Sequence, residues 1–305
     1  MVTAHELFTH AAPASRAGKV FQFPLARFIV AALFIAPYLL LHNTIIADFI
    51  VGFEGTRLIY ANTIDRIVSF VALLLLYAAF VRIIERRPVR EVSPRGAPAE
   101  LGAGILIALG LIGIMALILS ATRCYRIEET GPAIVLLNAF FLFGFGAFMQ
   151  ELFFSVMLFR LVEEWLGTAA GIVIIAATFA LMHLINSNAT VWSTVALMLG
   201  ELLLVGAFIY TRRLWLVWGI HWGWNFFQDG VLGMPNSGIT SLPSWIKAAI
   251  TGPSWLTGGT QGIEASVIAL MLTLLVAAIV LKRAIGAGQT VRPMWKRESE
   301  VTARQ

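Results

Sequence analysis

The chain has 305 residues, of which 59% are hydrophobic and 13% charged, with a mean hydropathy of +0.83 and a formal net charge of +5. This is the composition of one integral membrane domain and leaves no soluble domain of useful size. A single cysteine, Cys124, excludes an internal disulfide framework.

A spanning helix needs about 20 mostly apolar residues. Taken in chain order, eight runs qualify: Phe28–Phe49, Ile67–Ile84, Leu101–Ser120, Pro132–Leu161, Thr168–Ile185, Trp192–Thr211, Leu214–Met234 and Ile263–Leu281. Residues 1–27 carry Arg16, Lys19 and Arg27 ahead of an apolar run too long for a cleaved leader, so an uncleaved first span is expected. The fourth run is too long for a perpendicular crossing and must tilt or extend beyond the bilayer. Glu163 and Glu164 near its end read as solvated. Arg86-Arg87-Pro88 through Pro98 is a polar connector. Ser237–Gly262 is a loop rich in Gly, Ser, Thr and Pro with Trp245 and Trp255 as interfacial aromatics. Residues 286–305 form a basic tail. With the N-terminus inside, seventeen of the twenty-two Lys and Arg fall on the inner side, so both termini are expected in the cytosol. Topology thus accounts for the positive charge, and no nucleic-acid partner is implied. The expected fold is all-α, with about eight transmembrane helices in residues 28–285 enclosing a polar intramembrane cavity.

Polar and ionisable groups inside a membrane helix are expensive and mark function. The seventh run carries His221 and Asn225 four residues apart, on one helix face. The fourth carries Gln150 and Glu151, the fifth His183, and the sixth Glu201. At about 1.5 Å per residue, Glu151, His183, His221 and Asn225 lie at roughly 18, 22, 10 and 17 Å from the inner ends of their helices. They are therefore expected to line one cavity. Such a set suits hydrolysis. A carboxylate can take a proton from water, a His can orient that water or protonate the leaving amine, and a second His and an Asn can donate hydrogen bonds to an oxyanion. His183, His221 and Glu151 are also a candidate ligand set for a divalent metal such as zinc. Neither a His-Glu-x-x-His motif nor a Gly-x-Ser-x-Gly elbow is present. For each group the bland alternative is a helix-packing hydrogen bond, and for Glu201 the two readings stand level.

Phe179-Ala180-Leu181-Met182-His183 has the pattern Phe-x-x-x-His, and His221 through Asn225 has His-x-x-x-Asn. Gly144–Trp165, with Leu158–Glu164 inside it, has the setting of a Glu-Glu-x-x-x-Arg motif, and Thr211–Trp215 and Leu256–Gly259 add further likeness. In this order the motifs resemble the CAAX-processing endopeptidase and bacteriocin-immunity (CPBP or Abi) family of intramembrane proteases, over about Phe140–Ser266. The resemblance implies an intramembrane endopeptidase that cleaves a membrane-associated or prenylated peptide through glutamate- and histidine-activated water. It implies a location in a bacterial inner membrane and catalytic roles for Glu151, His183, His221 and Asn225; beside these, Phe179 of the second motif and the buried carboxylate Glu201 are candidate auxiliaries. Two positions depart from the family: Gln150 stands where the activating glutamate belongs, and Ser155 where the arginine belongs. A neutral amide cannot accept the proton. The alternative is therefore a catalytically inactive member that binds a membrane peptide or partner protein. A transporter using the same polar cavity is a third reading, without repeats to support it.

Overall fold

A computed structural model describes residues 2–8, 16–42, 50, 53–239, 242 and 244–297. The last part of the first expected span, 43–49, and the end of the basic tail lie outside the described residues. Helices α1 (Arg16–Gln22), α2 (Pro24–Leu41), α3 (Gly55–Glu85), α4 (Ala97–Ala121), α5 (Ile134–Leu166), α6 (Thr168–Ile185), α7 (Val191–Thr211), α8 (Leu214–Asn225) and α9 (Val267–Gly286) follow in order. Among the described residues, seven helices, all but α1 and α8, are long and apolar enough to cross a membrane. Helix α8 continues as a wide π-helical turn over Phe226–Val231, but His221, Asn225, Gln228 and Asp229 reduce its apolar character. The fold is all-α and polytopic. One small addition was not foreseen: β1 (Tyr125–Thr130), between the third and fourth expected spans, pairs antiparallel with β2 (Ile246–Ile250), inside the segment read as loop, with Tyr125 opposite Ile250.

Helix α8 lies at the centre because glycine lets it approach α4 to backbone contact. Gly219 and Gly223 face Gly104 and Ala108 of α4. A Cβ on Gly104 would stand 2.5 Å from the Leu216 carbonyl, and one on Gly223 would stand 2.9 Å from the Ala108 Cβ. Small residues at such spacing are what helices use to pack closely where hydrocarbon gives no hydrophobic drive. On its other side α8 is pinned to α5 by indole donors. Trp218 Nε1 bonds the Gly144 carbonyl at 2.8 Å and Trp222 Nε1 the Phe140 carbonyl at 2.9 Å. The two indoles stack at 5.1 Å. Trp222 is therefore a packing residue.

The two described terminal segments share one end of the bundle. Gln289 Nε2 donates to the Val2 carbonyl at 2.8 Å, and the Arg297 guanidinium lies 5.0 Å over the Phe8 ring. That terminal end is dense in buried ion pairs. Glu85 receives Arg27 at 3.0 Å, Arg160 at 2.9 Å and Arg87 at 2.8 Å. Glu164 pairs with Arg27 at 2.6 Å, and Glu163 with Arg212. The reading of Glu163 and Glu164 as solvated is thus corrected: both are buried, because arginines from α2 and from the turn after α7 fold over them. The start of the basic tail is packed too, since Gln289 and Val291 are buried against the N-terminal segment and α6.

The sheet end is built differently. The Tyr125 hydroxyl donates to the Leu232 carbonyl at 2.9 Å and the Trp245 amide to the Gly230 carbonyl at 2.9 Å. These bonds hold the chain after α8 while it turns inward. Asn186 Nδ2 donates to the Ser237 carbonyl at 2.6 Å and Asn188 Nδ2 to that of Gly238 at 2.8 Å. Glu264 accepts from the Ser237 amide and from Gln228. Asn236 and Ser237 are thereby placed inside the bundle.

Candidate functional site

Helix α5 carries Gln150 and Glu151 just ahead of a π-helical stretch over Leu152–Phe159. The extra residue per turn widens the helix, a distortion frequent at functional sites. Adjacent helical residues point about 100° apart, and the two side chains accordingly go to different places. Gln150 lines an open cavity of about 410 Å³ together with His183, Asn186, His221, Asn225 and Ser237. Its Oε1 is buried without a hydrogen-bond partner. Glu151 does not reach this cavity. It lies behind His221, 1% exposed, with Oε1 2.7 Å from His221 Nδ1 and Oε2 accepting from the Ser155 hydroxyl at 2.6 Å.

This geometry fixes the imidazoles. Glu151 takes the Nδ1 proton of His221 as a hydrogen bond, so Nε2 is the nitrogen left for the cavity. His183 sits where α6 gives way to a 3-10 turn, and its Nδ1 bonds the Phe179 carbonyl at 2.8 Å. It too keeps Nε2 as its free acceptor. The Phe179 ring stands between them, 4.5 Å from the His183 ring and 6.1 Å from that of His221. Those two lengths laid end to end bound the separation of the imidazoles, well within the reach of one bound peptide. Of the expected site residues, Gln150, His183, His221 and Asn225 line one cavity, Glu151 and Ser155 form the layer beneath it, and Glu201 and Phe179 line a second, smaller cavity next to it. The cavity sits in the half of the bundle nearer the sheet.

The zinc set of His183, His221 and Glu151 is not assembled. Glu151 bonds His221 directly, and His183 Nδ1 is engaged by its own helix. Among the described residues no group of three or more His, Cys, Asp or Glu is placed to hold a metal. Sequence reasoning missed Asn186, Asn236 and Ser237 on the cavity wall, and Gln228 and Glu264 behind it. Their one signal was the turn-forming run Pro235-Asn236-Ser237-Gly238, which marks a loop and not its inward course.

Fold and site together define a polytopic α-helical membrane protein with a buried Glu–His pair under a polar intramembrane cavity. Residues 132–227 match the protein family described as type II CAAX prenyl endopeptidase Rce1-like. The match contains the whole of α5, α6, α7 and α8, His221 and Asn225 included, and it shows the family likeness first read from the motifs. A search of curated proteins and a search of solved structures give no match.

Proposed function

We propose that the protein is an intramembrane endopeptidase of the CAAX-processing type, cleaving a membrane-associated or prenylated peptide. His221 is the base. Its Nε2 takes a proton from water as the water oxygen bonds to the scissile carbonyl carbon, and the Glu151 carboxylate steadies the imidazolium that forms. The Asn225 and Gln150 amides donate to the oxyanion. The imidazolium then returns the proton to the leaving nitrogen as the C–N bond breaks. His183, held by the Phe179 carbonyl, orients the water. On the positive-inside rule the terminal end is cytosolic, and the membrane is a bacterial inner membrane.

The observation that carries this reading is the Glu151–His221 contact at 2.7 Å beneath a cavity lined by amide donors. The test is cleavage of prenylated and unprenylated peptides by the purified protein in lipid vesicles, read by mass spectrometry, with and without a chelator. Cleavage that survives the chelator supports the reading. One observation favours the inactive-binder alternative: among the described residues no carboxylate lines the larger cavity, because Gln150 is neutral and Glu151 lies behind His221. On that reading the folded wild type cleaves nothing, binds peptide, and gains cleavage only on Gln150→Glu.

A further inference from the structure

Glu201 sits midway along α7, and the mechanism above makes no use of it. It is 1% exposed, and neither carboxylate oxygen has a hydrogen-bond partner among the described residues. The side chain faces the second cavity, about 80 Å³ in volume, whose apolar walls include Phe179, Ala196, Leu197 and Leu204. His221 and Asn225 line both cavities, so the small one adjoins the larger at those residues. Among the described residues neither Lys nor Arg lines either cavity. Glu264 also borders the small cavity, but its oxygens are taken by Gln228 and the Ser237 amide.

An unpaired carboxyl in hydrocarbon surroundings is costly. A slot with apolar walls and such a group at its end complements a cation on an aliphatic stem, the build of a basic side chain. One water needs about 10–15 Å³ of such space, so the slot admits a chain of roughly five heavy atoms, the length of a lysyl side chain. The lack of a metal-holding cluster among the described residues directs the choice to an organic cation. We propose that this slot is a specificity pocket: it takes a basic side chain of the peptide bound in the larger cavity, with methylenes along Phe179, Leu197 and Leu204 and the ammonium or guanidinium on Glu201. Its use in selecting a cleavage site rests on the proteolytic reading, whereas its affinity for the cation does not.

The test has a binding arm and a peptide arm, both with the full chain in phosphatidylcholine vesicles. In the first, the unfolding midpoint is followed against n-butylammonium and against neutral n-butanol. Butylammonium should raise the midpoint of the wild type and not of Glu201→Gln, with n-butanol acting alike on both. Gly200→Leu guards against a folding defect. Gly200 lines the slot, a Cβ there meets nothing within 4 Å, and the variant fills the space while leaving Glu201 in place, so it too should lose the response. In the second arm, a lysyl peptide should bind about tenfold more tightly than its norleucine analogue, and that preference should vanish in Glu201→Gln. An equal butylammonium response in wild type and Glu201→Gln overturns the pocket. A butylammonium response without lysyl preference overturns the peptide assignment and leaves a free amine as occupant. Cleavage with neither effect sinks the pocket and keeps the protease, whereas both effects without cleavage keep the pocket and sink the protease.

Discussion

At the residue scale the proposed chemistry turns on Glu151, whose place is set by direction. The sequence offers Gln150 and Glu151 as neighbours on one helix, and about 100° of rotation sends one to the cavity and the other behind His221. Which goes where is decided by packing against α8, which no local pattern records. Ser155 belongs to the same layer. It is fully buried and donates to Glu151 at 2.6 Å, so an arginine there has no room and the hydroxyl is the fitting group. Ser155→Ala leaves Glu151 Oε2 unsatisfied, which costs about 1–3 kcal/mol. A roughly tenfold fall in kcat with an intact fold is expected, measured as peptide turnover beside a melting curve. His183, His221 and Asn225 were legible as a site because polar groups stand out in apolar runs. The solvated reading of Glu163 and Glu164 failed because their arginine partners lie far away in the chain.

At the scale of elements, α8 is the piece on which the site depends. Its apolar run could be read from the sequence, but the partner helix could not, since α4 is more than a hundred residues earlier. Gly223→Leu drives a side chain into Ala108 and the α4 backbone. Overpacking of this kind costs about 1–3 kcal/mol, so a lower melting temperature is expected. Gly110→Leu on α4 is the control, because a Cβ at Gly110 meets nothing within 4 Å. The inward-turning loop makes a second prediction. Burial pushes the Glu264 carboxyl up from 4.5 to about 7, against donors that hold it down. Between those values the folded protein keeps a proton that the unfolded chain has released. Stability therefore falls as pH rises from 4.5 to about 7 and levels off above. Glu264→Gln should flatten that part of a melting-temperature profile, and an unchanged slope would count against it.

At the scale of the whole molecule, the charge distribution of the sequence predicts both termini on one side of the membrane, and the described terminal segments pack together at one end of the bundle. The terminal end gathers buried Arg–Glu pairs, and the opposite end carries the sheet. With Cys124 replaced by serine, a cysteine at exposed Arg126 on β1 should label from outside sealed cells, and one at exposed Trp295 only after permeabilisation. The ion pairs add a pH term of the opposite sign to that of Glu264. Burial would raise the Glu91 carboxyl, but the Arg87 guanidinium outweighs it and holds the group down at about 2. Its stabilisation is present above its ordinary 4.5 and is lost as pH falls towards 2.

The central claim is that the Glu151–His221 pair drives proteolysis in the cavity. The most direct measurement is the single-turnover cleavage rate of a prenylated peptide by wild type, His221→Ala and Glu151→Gln, each shown to be folded in vesicles. The account predicts measurable wild-type cleavage and a fall of about 100-fold or more in both variants. Variants that cleave as fast as the wild type would contradict it.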